Sequence, residues 1–152
     1  MNSKLVLWSI TVGLGGFLFG LDTAVISGAE QDIQTLWQLD AWSHGLAIAM
    51  ALYGTVIGAM FGGVPADRYG RKKTLLAIGL LFFFSAMGTA VAQDVYTFMF
   101  FRFIGGLSIG ASSVVAPVYI SEIAPPKYRG RMGISFQMNI VLGILVAYVS
   151  NY

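Results

Sequence analysis

Cysteine is absent from this chain of 152 residues, which excludes disulfides and thiolate metal sites. Charge is also scarce, because Asp, Glu, Lys and Arg make up 11% of the residues, whereas a soluble domain usually has about 25%. Hydrophobic residues account for 57%, and the mean hydropathy is +0.75. These proportions indicate an integral membrane protein.

Histidine occurs once, at His44, with no candidate nucleophile or metal-binding cluster around it. The chain is therefore predicted not to be an enzyme, and no metal or cofactor is expected. A pI near 9.0 could indicate a nucleic-acid partner. The basic residues lie beside apolar runs, however, where they suit membrane topology better. A lipid bilayer is thus the expected partner, and nucleic acid is not.

Five apolar stretches reach the roughly 20 residues that a helix needs to cross a bilayer. They cover about 5–28, 43–66, 73–93, 95–120 and 131–152. The first follows Lys4 and resembles a signal peptide, but its apolar part is too long for one, so we interpret it as a retained helix. The sequence therefore predicts an all-α membrane protein with five transmembrane helices in one bundle over residues 1–152.

The distribution of basic residues predicts how the bundle is oriented. With the N-terminus inside, eight of the nine basic residues fall on the cytoplasmic side: Lys4, Arg68, Arg71, Lys72, Lys73, Lys127, Arg129 and Arg131. The outer loops carry acids alone, at Glu30, Asp32, Asp40 and Asp94. Because cytoplasmic loops are enriched in Lys and Arg, we predict a multi-pass protein of the plasma (inner) membrane with a cytoplasmic N-terminus.

Two charges lie well inside the predicted spans, Asp22 in the first and Arg102 in the fourth. If the first helix ends near Gly28, Asp22 lies about 9 Å below its outer end, and Arg102 lies about 10 Å below the outer start of its own helix. Charges in lipid usually pair or line a water-filled path. We therefore predict that Asp22 faces Arg102. A purely structural ion pair is the alternative, but burial favours the neutral acid and the cation favours the carboxylate, which suits proton binding.

Glycines recur every four residues on three of the predicted helices. The positions are Gly16 and Gly20, then Gly54, Gly58 and Gly62, and finally Gly106 and Gly110. Small residues at this spacing let helix backbones approach closely in a membrane. We therefore predict close helix contacts along these three stripes.

The connection between the second and third predicted helices reads "GGVPADRYGRKK". Gly63 and Gly70 would permit a tight turn and a close approach. Asp67 could accept hydrogen bonds from an arginine or from a helix N-terminus. A loop that serves topology alone would explain the basic residues but not this aspartate.

The second connection follows the fourth predicted helix and reads "SEIAPPKYRGR". Its two prolines should end the helix, and Glu122 and Arg129 lie on either side of them. Such a surface pair is worth little alone. Together with Asp67, Arg68 and Arg71 it could form a releasable latch between the two connections.

These motifs together resemble the N-terminal half of a sugar porter of the major facilitator superfamily. "GGVPADRYGRKK" is similar to the superfamily's loop between helices two and three, and "FGLDTAVISG" resembles the family's first helix. The sugar-transport pattern is matched at Ile104, Gly106, Gly110, Tyr119, Glu122 and Arg129. The resemblance implies a transporter of twelve helices that works by alternating access.

The resemblance also implies roles for particular residues. Asp67, Arg68, Arg71, Glu122 and Arg129 would form the cytoplasmic charge network that holds the outward-facing state. An acid at Asp22, paired with Arg102, is typical of the family's proton symporters, and facilitators tend to have a neutral residue there. Gln137, in "FQMNIVLG", would bind sugar, and Phe19 would line the same cavity. Asn139 is expected to make an interhelical hydrogen bond instead, which is also the alternative for Gln137.

The leading prediction is a proton-coupled symporter for a monosaccharide-type sugar. The alternatives are a facilitative sugar uniporter of the same family and a small membrane scaffold that transports nothing. Relative to the family pattern, helix six and the C-terminal half are missing after "VAYVSNY". We therefore interpret the chain as the N-terminal part of a transporter whose C-terminal half would be its partner.

Overall fold

Six helices form the part of the chain described by this computed structural model, which is residues 3–150, with side chains from residue 13 onward. They are α1 (Ser3–Leu36), α2 (Ala41–Phe61), α3 (Gly63–Tyr69), α4 (Arg71–Ala90), α5 (Val95–Ile123) and α6 (Arg129–Ser150). No strand occurs within those residues, and the all-α prediction is confirmed.

Four helices of the described chain are long and apolar enough to cross a membrane: α2, α4, α5 and α6. They overlap the four later predicted spans. The described part of α1 is not among them, and the side chains of residues 3–12 lie outside that part. The first crossing, 5–28, stays a prediction.

α1 extends eight residues past the predicted end at Gly28 and stops at Leu36. The prediction followed the apolar run, whereas the polar segment "AEQDIQTL" contains no proline or glycine that would interrupt a helix. The helix stops where Gln38 takes a left-handed φ of 47°. The Leu39 N–H then donates to the Gln34 carbonyl at 3.1 Å, a bond typical of a Schellman C-cap.

The second predicted span, 43–66, is divided in the structure between α2 and α3 at Gly62. Pro65 explains the break, because it has no N–H to donate to the carbonyl four residues earlier. Pro65 is instead the third residue of α3, within a first turn whose N–H groups need no partner inside the helix. A hydropathy pattern alone does not predict this break, because it does not record which residues lack an N–H group.

The internal contacts of the chain define two compact units. The first, called the α1/α6 unit here, comprises residues up to Gln31 and residues from Ala116 onward. The second, called the α2–α5 unit, comprises Asp32–Val115. α1 and α5 each contribute to both units.

α5 packs against α2 through glycines on both helices of the α2–α5 unit. A Cβ at Gly106 would lie 2.1 Å from the Ala51 carbonyl oxygen, and one at Gly110 would lie 2.0 Å from that of Thr55. The contacts advance in the same direction along both helices, so α2 and α5 are parallel. This is the relation required of a second and a fourth crossing in alternating directions.

The same unit contains an antiparallel contact between α4 and α5. A Cβ at Gly88 would collide with the Phe101 ring, and one at Gly105 would lie 2.6 Å from the Ser85 hydroxyl. As the contacts move forward along α4 they move backward along α5. The third and fourth crossings would have this relation.

Candidate functional site

α1 and α6 pack closely through the glycines of the α1/α6 unit. A Cβ at Gly20 would lie 2.0 Å from the Ile140 carbonyl oxygen, and one at Gly143 would lie 2.1 Å from that of Phe17. A Cβ at Gly16 would also meet α6 backbone, at 2.8 Å. Together with the α2 and α5 glycines, this confirms the predicted close packing along the three stripes.

Asp22 lies on the opposite side of α1 from this contact. It follows Gly20 by two residues, which is a rotation of roughly 200° about the helix axis. Phe19 precedes Asp22 by three residues, so the two side chains share one side of α1. Both residues are half-buried. The local geometry therefore places the predicted proton site and the predicted cavity aromatic together, away from α6.

On α6, Gln137 is exposed. It follows Phe136, which is 6% exposed and packs against Gly16, so its amide points away from the centre of the contact. An exposed amide is available to hydroxyl groups, because it can both donate and accept. The structure thus leaves room for sugar binding at Gln137, and that role stays a prediction.

The structure shows Asn139 in a hydrogen bond within its own helix, and the expected interhelical bond stays a prediction. Its amide nitrogen donates to the Ser135 carbonyl, four residues earlier on α6, at 2.8 Å. The bond is therefore within α6 rather than between helices. The amide also packs against Gly13, where an added Cβ would lie 2.8 Å from Nδ2. Asn139 satisfies its donor locally because a short amide can reach back along its own helix.

Arg102 is buried in α5, with 8% of its surface exposed. It lies one helical turn before Gly106, on the side of α5 that approaches α2. Its neighbour Phe101 packs onto Gly88 of α4. A buried guanidinium is unusual, because an ionised group loses much of its hydration on burial.

The predicted pairing of Asp22 with Arg102 used Gly28 as the end of the first helix. That reference is wrong, because α1 continues to Leu36. The equal-depth argument therefore no longer follows from the helix ends. Asp22 belongs to the α1/α6 unit and Arg102 to the α2–α5 unit, and their pairing stays a prediction.

Between α3 and α4, Arg71 donates from Nη1 to Oδ1 of Asp67. The Asp67 side chain is 72% exposed, and that of Arg71 is 25% exposed. Gly70 lies between them with φ at 90°, a conformation that other residues adopt only with strain. The turn predicted for Gly70 is confirmed. Gly63 does not share this positive φ. An added Cβ at either glycine would meet nothing within 4 Å, so the predicted close approach is wrong.

Arg68 takes no part in that ion pair and lies over the Tyr69 ring, with its Cζ 5.7 Å from the ring centroid. This distance permits a cation–π contact. The predicted network residues of the α2–α5 unit therefore divide into an ion pair and an arginine beside an aromatic ring.

In the α1/α6 unit, α5 ends at Ile123 and α6 begins at Arg129. The Pro125 carbonyl accepts from the Tyr128 N–H at 2.8 Å and from the Arg129 N–H at 3.1 Å. Glu122 and Arg129 lie on either side of this turn and are both exposed. The two prolines thus end α5 as predicted, and the role of Glu122 and Arg129 in a network stays a prediction.

One polar residue of interest was not found from the sequence. Ser85 is 4% exposed, and its hydroxyl donates to the Phe101 carbonyl on α5 at 2.5 Å. The signal was present, because Ser85 interrupts "LLFFFSAMG" and precedes Gly88 by three residues. Small residues at such spacing mark helix contacts in membranes.

The side chains described by the structure include no group of three or more His, Asp or Glu residues that could hold a metal ion. His44 is half-buried near the start of α2. The candidate residues described above are charges, amides and an aromatic ring on helices.

Known proteins of similar sequence are transporters. The family model described as "Sugar (and other) transporter" matches residues 8–152. The glucose transport protein of Synechocystis is 45% identical over 99% of this chain and 32% of its own length. The arabinose-proton symporter of Bacillus subtilis is 43% identical over 96% of this chain and 32% of its own length. This agrees with the prediction that the chain is not an enzyme.

A solved structure has the same fold. The xylose transporter XylE from E. coli, in a partially occluded inward-open conformation, superposes with a TM-score of 0.89 at 33% identity. The match covers 98% of this chain and 40% of that one. The chain thus spans about a third of the length of the curated relatives described above. It belongs to the sugar transporter family of the major facilitator superfamily.

Proposed function

We propose that this chain is the N-terminal part of a transporter that carries a monosaccharide-type sugar together with a proton by alternating access. The observation that carries the proposal is Asp22, a carboxyl group in the interior of α1 on the side turned away from α6. An ionisable residue at such a position is costly and is usually functional. A relative of 43% identity is an arabinose-proton symporter, which supports the same mechanism.

In this proposal Asp22 takes up the proton and Arg102 is its counter-charge. The support is that they have opposite signs, lie inside predicted spans and match the family's symporter pattern. The buried position of Arg102 also favours an anionic partner, because an uncompensated buried cation is strongly unfavourable. Protonation of Asp22 would weaken the attraction and so bias the protein toward another conformation.

The sugar would be bound by Gln137, with Phe19 on the wall of the same cavity. Gln137 is exposed, and Phe19 shares the Asp22 side of α1. The amide would exchange hydrogen bonds with sugar hydroxyls, and the ring would cover an apolar face of the sugar. The missing C-terminal half would provide the remaining contacts.

Asp67, Arg68, Arg71, Glu122 and Arg129 would form a cytoplasmic network that holds the outward-facing state. The ion pair between Asp67 and Arg71 supports the part of this proposal that falls within the α2–α5 unit. Glu122 and Arg129 lie on either side of the α5–α6 turn and are exposed, where their contacts could differ between conformations.

The orientation belongs to the proposal as well, with the N-terminus in the cytoplasm and the chain in the plasma (inner) membrane. Gln38 lies in the connection after α1, and Lys72 lies in the first turn of α4, both exposed. Gln38→Cys should react with an impermeant maleimide from outside intact cells, and Lys72→Cys should react only after permeabilisation. Labelling of Lys72→Cys in intact cells would contradict the orientation.

The coupling is tested with the full-length transporter in proteoliposomes that contain a pH-sensitive dye. Sugar added outside should bring protons into the lumen, at a rate that follows sugar uptake. A uniporter would move sugar with no proton flux, and a membrane scaffold would move neither. The first result supports symport, and each of the other two contradicts it.

Substrate binding is tested at Gln137 and its helix neighbour Met138, which is also exposed. Gln137→Ala should weaken the apparent sugar affinity by about three- to tenfold, because hydrogen bonds of an amide contribute roughly 0.5–1.5 kcal/mol each. Met138→Ala is the matched control and should retain the affinity. Unchanged affinity in Gln137→Ala would remove this residue from the sugar site.

A further inference from the structure

The contact between α4 and α5 contains an unusual hydrogen bond. Most hydroxyl groups of the α2–α5 unit that donate to backbone do so within their own helix, as Thr89 and Ser108 do toward carbonyls four residues earlier. Ser85 instead donates across to α5, at the Phe101 carbonyl. The bond thus joins two helices that also meet at Gly88 and Gly105.

The surroundings of Ser85 are shaped to permit this bond. Gly105 leaves the space that the hydroxyl occupies, since its Cβ would lie 2.6 Å from the Ser85 oxygen. One turn further along α4, Gly88 receives the Phe101 ring. α4 therefore contacts α5 at two points, which are the Ser85 hydrogen bond and the packing of the Phe101 ring on Gly88.

Around the axis of α5, Arg102 lies between the side that contacts α4 and the side that contacts α2. It directly follows Phe101, whose carbonyl accepts from Ser85, and it precedes Gly106, which packs on α2, by one turn. Contacts on two sides fix the rotation of α5 about its axis, and that rotation decides where a side chain on α5 points. Phe101 and Arg102 are joined by one peptide unit. Loss of the Ser85 hydrogen bond to the Phe101 carbonyl would therefore change the orientation of the Arg102 side chain.

We propose that Ser85 is a positioning residue for Arg102: its hydrogen bond to the Phe101 carbonyl aims the guanidinium and thereby tunes proton coupling. The proposal rests on the proposed function, in which Arg102 is the counter-charge of the proton site. It adds a residue on α4, a helix that contributes neither Asp22 nor Arg102.

The matched pair for the test is Ser85→Ala and Ser108→Ala in the full-length transporter. Both serines are buried, at 4% and 1% exposure, but Ser108 bonds within α5. Uphill sugar accumulation is measured over a range of external pH, and sugar counterflow is measured without a pH gradient. Ser85→Ala should lower accumulation about three- to twentyfold, as expected for an interhelical hydrogen bond in a membrane, and should displace the pH profile. Counterflow should persist.

Ser108→Ala should leave the pH profile in place. A profile for Ser85→Ala that equals the wild-type one, or an equal displacement in Ser108→Ala, would overturn the proposal. If Ser85→Ala does not fold, Ser85→Cys is the second variant, because a thiol fills similar space and is only a weak donor. It should displace the profile in the same direction, and a wild-type profile would again contradict the proposal.

Space filling and hydrogen bonding are separated with Gly105. Gly105→Ala should displace the Ser85 hydroxyl and impair both folding and coupling. The double variant Ser85→Ala with Gly105→Ala removes the clash, so folding should recover. If the hydrogen bond aims Arg102, the pH profile should stay displaced. Recovery of a wild-type profile in the double variant would show that packing alone matters and would overturn the proposal.

Other titratable groups on the packed helices need a control. α2 carries His44 and Tyr53, α4 carries Arg71, Lys72 and Lys73 in its first turn, and α5 carries Tyr96, Tyr119 and Glu122. Among side-chain types, histidine is the one that ordinarily changes charge near neutral pH, so His44 is the residue to replace. The displacement caused by Ser85→Ala should therefore recur in a His44→Gln background, and its disappearance there would assign the effect to His44.

The two proposals fail in different ways. If Asp22→Asn still accumulates sugar against a gradient, the proposed proton site is wrong. If Asp22→Asn loses accumulation but Ser85→Ala retains the wild-type pH profile, the proton site stands and the positioning role of Ser85 is wrong.

Discussion

The two units use the same kind of contact and differ in where they place their polar groups. In both, parallel helices meet through glycines so closely that a Cβ would lie about 2 Å from a carbonyl oxygen of the opposite helix. In the α1/α6 unit, Asp22 and Gln137 lie off this contact and are half-buried or exposed. In the α2–α5 unit, Arg102 lies beside the contact and is 8% exposed.

The two units therefore suit polar groups of different kinds. One kind is held in a fixed orientation, and the other is open to new partners. A group beside a backbone contact is held in one orientation, because neither helix can rotate without breaking the contact. A group on a free side can meet water, a ligand or another helix. The α2–α5 unit therefore suits a fixed charge, and the α1/α6 unit suits groups that change partners during transport.

The largest effect is expected where the shared contact is broken. Gly110→Ala in the α2–α5 unit and Gly20→Ala in the α1/α6 unit each place a Cβ 2.0 Å from a carbonyl oxygen. Overpacking of this kind typically costs about 1–3 kcal/mol or more. Both variants should lose most of the folded protein in size-exclusion chromatography after a heat step.

The matched control for these variants is Gly79→Ala on α4, where a Cβ would meet nothing within 4 Å. It should be neutral or slightly stabilising, because alanine favours a helix by about 1 kcal/mol over glycine. Equal stability of Gly110→Ala and Gly79→Ala would mean that the glycine contact is not formed.

The next effect concerns the exposed charges of the α1/α6 unit. Arg129→Ala in the full-length transporter should shift the population toward the inward-open state and lower transport about fivefold or more, the usual scale of coupling between conformations. Arg131→Ala is the control, since it removes an exposed charge two residues away. Cysteine accessibility from each side and the uptake rate are measured. If the two variants behave identically, the basic residues of this loop serve membrane topology only.

A smaller effect is expected in the turn between α3 and α4. Gly70→Ala forces a side chain into a φ of 90° with ψ at 147°, close to a region that is essentially restricted to glycine, and this strain should cost about 1–3 kcal/mol. Gly63→Ala lies in the same sequence motif, in open space, and should cost little. Melting temperatures in detergent compare the two, and a Gly63→Ala variant as unstable as Gly70→Ala would show that strain at Gly70 is not the cause.

The smallest effect concerns Asp94 at the start of α5. The Thr97 N–H donates to its Oδ2 at 3.0 Å and the Thr97 hydroxyl to its Oδ1 at 2.7 Å. These bonds hold the pKa of Asp94 below its ordinary value of 3.8. Because the pKa is lowered in the folded protein, the stabilisation is present above 3.8 and is lost as the pH falls through the folded-state pKa.

Asp94→Asn should accordingly melt at a slightly lower temperature than the wild type at neutral pH, and the difference should shrink in acid. Asp40→Asn is the comparison on α2, where a bond of 3.3 Å from the Ser43 N–H should matter less. A difference between Asp94→Asn and wild type that grows in acid would contradict this assignment.

The helices and their contacts could be predicted because both depend on local patterns. Apolar runs marked α2, α4, α5 and α6, and glycine spacing marked the faces that pack. The break at Pro65 was missed because hydropathy does not record a missing N–H donor. The end of α1 was placed eight residues early, because the prediction stopped where the apolar run ends. The polar segment that follows also favours a helix and continues α1 to Leu36.

The site was predictable in part. Asp22 and Arg102 were conspicuous as charges in apolar stretches. The turn at Gly70 was predicted from the glycines of its sequence motif. The bond of Asn139 within α6 was not predicted, because a bond of this kind cannot be told from an interhelical one without coordinates. Ser85 was missed although it interrupts an apolar run near Gly88, because its hydrogen-bond partner on α5 cannot be identified without coordinates.

The central claim, that Asp22 is the proton site of a sugar symporter, is tested most directly by Asp22→Asn in the full-length transporter. Asparagine is nearly isosteric with aspartate but does not titrate. Sugar accumulation driven by a pH gradient is measured with and without a protonophore, with sugar counterflow and expression level as controls. The account predicts that Asp22→Asn loses protonophore-sensitive accumulation and keeps counterflow. If the variant still concentrates sugar in a protonophore-sensitive way, Asp22 is not the proton site.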